Sequence, residues 1–432
     1  MPQPIICLDE EVCHFAERFR SLFAKPQSQY FVTVLLGLLE CEGRRTLRGM
    51  LREVGQAPSL SGLSRFFSEA PWSQEAVVAN WQRHFRTQMQ PLVEAEREQQ
   101  RKLQLKRRGR PKQPLVTGYV IGDDSTMSKP KGSKMAGLGK HHSTTYDQRI
   151  VGHSLVQGLY VLLDRRCPLA PRLYRQATVC EAEEVPFQSK IELMKTLIRE
   201  FEPVGGTRTH VLLDSWYCAK CLWHAARERD FLITTGIKSN RWLRVVDATA
   251  PQGWGWQKLS DYAAQLSESD FVQLPWPRGG KMVWVHVVKT AVRKLYHCQV
   301  IIVRHSLDAP LSQTRYWASS DVEASPAGLL RHIATRWEIE IFFEDGKEEL
   351  GWDHYQLMSA SALLRFWTLA MLAYVFLEEE QQRLRILWQR PVSIGEARRE
   401  IQRRHRRCLL EWLHRQFLSG IHPEALFELL AA

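Results

Sequence analysis

Apolar positions recur at helical spacing in three stretches near the start of the chain, residues 15–23, 31–39 and 77–85. The period of about 3.6 predicts helices there. Ser59 and Ser61 ahead of Leu63, Phe66 and Phe67 predict a further short, capped helix. After residue 114 the pattern changes. GYVIG (118–122), VGHSLVQGLYVLL (151–163), HVLL (210–213) and FLITTGI (231–237) read as strands, with helical patterns at 190–201 and 219–229 between them. Strands alternating with helices predict an α/β core. MVWVHVVK (282–289) and YHCQVIIVR (296–304) alternate like half-buried strands, with a turn at Gly279-Gly280. From Ser325-Pro326 onward the pattern is helical. The most apolar run, LLRFWTLAMLAYVFL (363–377), contains Arg365 and falls short of the roughly 20 residues a bilayer requires. It predicts a buried core helix, and no membrane partner is expected.

These readings divide the chain into a helical N-terminal region (1–97), a basic linker (98–114), a first core segment (115–237), a β-rich insertion (238–315), a second core segment (316–377) and a helical, Arg-rich C-terminal region (378–432). Short helices joined by tight turns leave the N-terminal region open as a helix-turn-helix-like DNA reader or a plain bundle, with no signature fixing a recognition helix. No internal repeat or long low-complexity tract interrupts the pattern.

Composition narrows the class. With 432 residues, 44% hydrophobic and 25% charged, the chain is an ordinary globular one, which excludes disordered, collagen-like and disulfide-stapled classes. The formal charge is +12. Residues 101–112 (RKLQLKRRGRPK) and 398–407 (RREIQRRHRR) together account for the whole excess. Clustered cations are the footprint of a polyanion partner, because they displace counterions condensed on phosphates. The nine cysteines are odd in number and scattered, which suits a reducing cytosol. Cys218 and Cys221 form a C-x-x-C without the second pair a zinc site needs, so idle thiols are expected. The stretch MPQPIICLDEEVC has neither a basic nor an apolar segment of the signal-peptide kind.

Two predicted strands end in carboxylates, at Asp123-Asp124 and at Asp214. Hard divalent cations take oxygen ligands, and two of them about 4 Å apart can clamp both oxygens of an in-line displacement at phosphorus. That chemistry draws about three acids from separate elements. Asp at a strand end also forms turns and caps helices, so the third acid decides. Residues 331–352 read RHIATRWEIEIFFEDGKEELGW. Projected as one helix at about 100° per residue, Ile339, Phe342, Phe343, Gly346 and Leu350 form a stripe that would pack on the sheet. Arg336, Glu340 and Lys347 lie beside it, so one acid is flanked along the helix by two cations. A surface ion pair at i,i+4 has the same spacing.

The spacing R-x3-E-x6-K resembles the signature Y-x2-R-x3-E-x6-K of DDE transposases of bacterial insertion sequences, over the string RWEIEIFFEDGKEELG. Asp124-Ser125-Thr126 resembles that family's first-acid motif and VLLDSWY its second. SKPKGSKMAGLGKHHS resembles the segment after the first acid in one branch. The resemblance covers roughly residues 115–377 and includes the β-rich insertion. It implies a ribonuclease-H-like core, and cut-and-paste transposition in which DNA is cut at the element's ends and the freed 3′-hydroxyl attacks target DNA. It implies Asp124, Asp214 and Glu340 as ligands of Mg²⁺ or Mn²⁺, as a pair of ions, with Asp123 the alternative first acid. It implies phosphate contacts for Arg336 and Lys347. One position departs: the signature's Tyr falls on Ile333, which cannot hydrogen-bond a phosphate.

Further DNA contacts are expected outside the triad. Arg108-Gly109-Arg110-Pro111-Lys112 carries the core of an AT-hook, in which glycine lets the backbone enter the minor groove and the arginines run along its floor. A non-specific basic clamp suits the same residues. Lys131 and Lys134 lie in a Gly- and Lys-rich stretch that lacks the order of a Walker loop and reads instead as a basic hairpin along DNA. His141 and His142 are further candidate ligands. The insertion carries Trp254, Trp256, Trp276 and Trp284, none singled out. Double-stranded DNA is the expected partner, held by a homodimer so that two ends meet, in the bacterial cytoplasm at the nucleoid. Two other readings stay open: a metal-dependent nuclease without strand transfer, and a transposase-derived DNA-binding regulator whose acids are idle.

Overall fold

The computed structural model describes residues 9–54, 58–105, 115–143 and 147–426. Five helices come first: α1 (Glu10–Glu17), α2 (Lys25–Glu40), α3 (Leu47–Leu51), α4 (Leu60–Ser68) and α5 (Gln74–Leu105). Side chains close the open N–H groups at their starts. Asp9 caps α1, Thr46 caps α3, and Ser59 accepts from the Gly62 N–H to cap α4. Helix α5 continues through residues 98–105, where the charge run predicts a linker. Arg108, Gly109, Arg110 and Lys112 lie outside the described residues.

A sheet follows, built from β1 (Val116–Ser128), β2 (Gly139–Ser143), β3 (Gln148–Leu162), β4 (Arg165–Pro168), β5 (Arg172–Tyr174), β6 (Thr207–Leu213) and β7 (Leu232–Gly236). Helices α6 (Ala177–Ala182), α7 (Lys190–Glu200) and α8 (Lys220–Glu228) connect the later strands. A small hairpin, β8 (Trp242–Val246) with β9 (Trp254–Lys258), and helix α9 (Leu259–Ala264) come next. Strands β10 (Val272–Pro275), β11 (Met282–Ala291), β12 (His297–Arg304) and β13 (Arg315–Ser319) then rejoin the main sheet. Toward the C-terminal end of the described residues lie helices α10 (Pro326–Thr335), α11 (Glu338–Leu350), α12 (Ala360–Trp388) and α13 (Ile394–Leu418).

The main sheet has the order β10-β11-β12-β13-β7-β6-β1-β3-β2, with β4 and β5 also paired to β3. Strands β1, β6 and β7 run parallel at its centre, and the neighbours on either side are antiparallel. The expectation of a mixed α/β fold with helices at both ends is met. Of the β-rich stretch after residue 238, β10, β11 and β12 extend the same sheet through β13, while β8 and β9 pair apart from it.

Strand alternation assigns the two faces of β1. Gly118, Val120 and Gly122 face α5 and α7: Tyr160, opposite Val120, meets Phe85 and Phe201, and a Cβ on Gly122 would lie 2.4 Å from the Met194 sulfur. Tyr119 and Ile121 therefore face the other way, where the Tyr119 hydroxyl meets His332 of α10. One continuous core links the N-terminal helices, the sheet and α12. Helix α12 is long and apolar enough to cross a membrane, yet 78% of its most apolar window is buried inside the protein.

Candidate active site

The parallel register of β1 and β6 pairs Gly122 with Leu213, so the next residues, Asp123 and Asp214, sit level where the ladder ends. Residues opposite one another share a face. Asp123 therefore lies on the side of α10 and α11, while Asp124, one step on, turns toward α7. The contacts agree. Arg336 reaches Asp123 at 3.8 Å and donates to Glu340 at 2.5 Å, so one guanidinium bridges an acid of the sheet and an acid of α11. Asp124 instead takes Lys190 Nζ at 2.5 Å, the Tyr217 hydroxyl at 2.9 Å and the Ser154 hydroxyl at 3.5 Å. Asp214 closes a turn, accepting from the Trp216 and Tyr217 N–H groups through Oδ1.

Electrostatics separate the adjacent acids further. Burial, followed by the charges of Asp214 and Asp124, pushes the Asp123 carboxyl up to about 7, against the pull of Arg336. Burial also raises Asp214, opposed by its two backbone hydrogen bonds and by Arg336. A buried carboxylate crowded by like charge favours any cation that can neutralise it.

Residues 331–352, expected as one helix, form two. Helix α10 ends at Thr335, and α11 begins at Glu338. Arg336 and Trp337 keep right-handed helical dihedrals but are held by i→i+3 bonds, from the Arg336 N–H to Ile333 O and from the Trp337 N–H to Ala334 O. The tightened turn leaves the Arg336–Glu340 pair at i,i+4. Arg166 of β4 donates to Glu338 twice, at 2.6 and 2.9 Å, and Arg278 of the β10–β11 loop reaches it at 3.2 Å. The first residue of α11 is thus anchored from both the sheet and the insertion. Ile333, where the signature's Tyr would fall, is buried with Val283, Val285 and Ile301.

Asp123, Asp124, Asp214 and Glu340 line one cleft of about 880 Å³, together with Lys140, His141, His142, Lys190, Trp216, Glu344 and Lys347. Burial lowers the Lys347 ammonium. Lys131 and Lys134 do not reach this cleft; they line a separate hollow with Arg44, Lys129 and Tyr355. Of the Arg-rich stretch, Arg398 is buried and donates to Leu39 O and Cys41 O, and Arg404 pairs with Asp9 and Glu380. Cys218 is buried and Cys221 exposed, both as free thiols.

Sequence reasoning passed over Lys190, Tyr217 and Glu344. Tyr217 stands inside VLLDSWY, and the capping box of Ser189 with Glu192 marks Lys190 as the first residue of α7. Glu344 lies one turn beyond Glu340.

Two family models match the chain. One, described as DDE superfamily endonuclease, matches residues 18–258, and the other, a transposase DDE domain, matches residues 188–376. The first spans Asp123, Asp124 and Asp214; the second spans Asp214 and Glu340. Among curated proteins no relative matches. A solved structure, a cryo-EM structure of the piggyBac transposase synaptic complex with hairpin DNA, aligns over 98% of this chain and 82% of that one, at 8% identity and a TM-score of 0.44.

Proposed function

This chain belongs to the DDE superfamily of endonucleases, and from that premise we propose that it is a cut-and-paste transposase of a bacterial insertion sequence. Its acid cleft would cleave DNA at the element's ends and join the freed 3′-hydroxyl to target DNA. The observation that carries the reading is the convergence of Asp123, Asp214 and Glu340 from two strand ends and a helix, with Arg336 bridging two of them. The order of the central strands, with β1, β6 and β7 parallel and β3 antiparallel beside β1, supports reading the core as ribonuclease-H-like.

The donor set fits a hard divalent cation. It offers carboxylate oxygens and no thiolate, and one carboxyl is driven up by its acid neighbours. Asp123, Asp214 and Glu340 would hold Mg²⁺ or Mn²⁺, as a pair of ions, with Asp124 as the alternative first acid. Bound there, the ions would supply Lewis-acid charge to the scissile phosphodiester and to the attacking and leaving oxygens. Arg336 presents a planar fork suited to two phosphate oxygens once its carboxylate partners are otherwise engaged. Lys347 and Lys140 add positive charge along the cleft. Lys190 holds Asp124 and lies 5.4 Å from the ring of Trp216, which is 53% exposed at the rim and offers a face on which a base can stack. Arg108, Gly109, Arg110, Lys112, Lys131 and Lys134 would hold flanking duplex away from the acids. Two ends must be cut in concert, so two copies on DNA are expected, at the nucleoid in the cytoplasm.

The test is cleavage of a duplex carrying the element's ends in Mg²⁺, with end binding followed in parallel. Asp214→Asn and Glu340→Gln should each lose at least about 10²-fold in cleavage while binding persists. Normal cleavage by either variant would show that the acids are misassigned. Pre-cut ends that fail to join target DNA would leave a nuclease without strand transfer.

A further inference from the structure

We propose that His210, Asp321 and His332 form a second metal site, separate from the acid cleft and suited to Zn²⁺. His210 lies on β6, Asp321 follows β13, and His332 lies on α10. One ligand atom of each falls within 4.8 Å of the others. His210 is fully buried, Asp321 is 6% exposed, and the two imidazole rings are 4.3 Å apart at their centres.

The hydrogen bonds around the cluster fix which nitrogens remain free. His210 Nε2 lies 2.8 Å from the Thr234 hydroxyl, whose own proton goes to Ser319 at 2.7 Å. The His210 ring therefore donates from Nε2, and its Nδ1 is buried with no hydrogen-bond partner among the described residues. His332 Nδ1 meets the Tyr119 hydroxyl at 3.1 Å, leaving Nε2, which lies 3.8 Å from Asp321 Oδ2. That separation is too long for a hydrogen bond. Two ligands each about 2.0 Å from a tetrahedral ion stand roughly 3.3 Å apart, so this pair closes with a shift of about 0.5 Å and the wider pairs with at most about 1.5 Å. Thr234 and Tyr119 occupy the positions of outer groups that orient ligating imidazoles. Arg208, 3.7 Å from Asp321 Oδ1, offsets part of that carboxylate's charge and leaves Oδ2 for an ion.

The chemistry of the set selects the ion. Two imidazole nitrogens and one carboxylate oxygen suit Zn²⁺ over the hard cations that a set of three carboxylates prefers. His210 Nδ1 and His332 Nε2 are the ring nitrogens left to offer lone pairs to an ion. The location gives the site a consequence. Tyr119 and His210 lie on the face of the sheet that carries Asp123 and Asp214, four residues upstream of each, or roughly 13 Å along the strands. His332 lies four residues before Arg336. An ion there would clamp α10 to the sheet and set the angle at which the α10–α11 turn delivers Arg336 and Glu340.

The test uses the full chain carrying Asp214→Asn and Glu340→Gln, which weakens the acid cleft whether or not its proposed role is right, and the His332→Gln comparison separates the second site from what remains of the cleft. After removal of metal with a chelator, Zn²⁺ is titrated by calorimetry and Co²⁺ by visible absorption. One Zn²⁺ per chain, tetrahedral cobalt bands, and at least about 100-fold weaker binding on adding His332→Gln are expected. Zinc-edge anomalous scattering from crystals of the parent chain, which needs no substitution at the site, should place the ion among the three side chains. An ordered water there in zinc-soaked crystals, no stoichiometric Zn²⁺, or affinity unchanged by His332→Gln overturns the proposal.

Discussion

Asp123 and Asp124 are adjacent in sequence but occupy opposite faces of β1, and their chemistry follows from that. The Asp123 carboxyl sits at about 7, above its ordinary 3.8. Between those values the folded, metal-free chain holds a proton that the unfolded chain has released. This group's contribution to metal-free stability is therefore most favourable below about pH 4 and is lost as pH rises to about 7. A divalent ion bound at Asp123 must displace that proton. Its apparent affinity should fall by about tenfold per unit as pH drops below 7, and more steeply where Asp214, also raised, takes up a second proton. Calorimetric titration of Mg²⁺ or Mn²⁺ at pH 6 and pH 8 measures the slope, and an affinity flat across that range would remove Asp123 from the site. Sequence places all the candidate acids but not this distinction. Which of two neighbouring residues faces α11 depends on the β1–β6 register, in which Gly122 meets Leu213. No local pattern encodes that contact.

At the level of the element, α11 owes its position to close packing. A Cβ on Gly346 would lie 2.4 Å from the ring of Trp352, which is fully buried against Phe342 and Tyr374. Gly346→Ala should gain up to about 1 kcal/mol in helix propensity and lose about 1–3 kcal/mol to overpacking. The expected net effect is a lower unfolding midpoint in thermal denaturation and weaker cleavage, because the helix that carries Glu340 must shift. An unchanged or raised midpoint would show that Trp352 yields freely. The central strands and α12 were legible as continuous apolar runs, since β3, β6 and β7 are buried along most of their length and α12 on nearly every side. The break between α10 and α11 was not, because Arg336 and Trp337 stay in the helical region. The joining of β11 and β12 to the main sheet was equally hidden. Alternation predicts a strand but not its neighbour, and here the neighbour is β13, contributed from beyond the insertion.

Across the whole molecule, the N-terminal helices, α12 and α13 share one core, and buried arginines lock them together. Arg404 joins Asp9, ahead of α1, to the almost fully buried Glu380 of α12. Arg404→Ala should cost about 1–3 kcal/mol, because it leaves buried acceptors short of a donor. Arg407→Ala, at an exposed helical pair with Glu411, should stay within about 0.5 kcal/mol. Chemical denaturation of both variants checks the contrast, and equal losses would contradict it. Charge counting therefore overstates how many cations are free to meet a polyanion. Part of the Arg-rich stretch serves the fold, a role that only tertiary packing reveals. DNA affinity should fall steeply with salt through the remaining exposed cations.

Metal binding at the acids is the point on which the account turns, and manganese anomalous scattering from crystals grown with Mn²⁺ examines it directly. Density is expected between Asp123, Asp214 and Glu340, with the Arg336 guanidinium moved off the two carboxylates it now bridges. Manganese found only elsewhere, or the three acids turned away from a common ion, would contradict it.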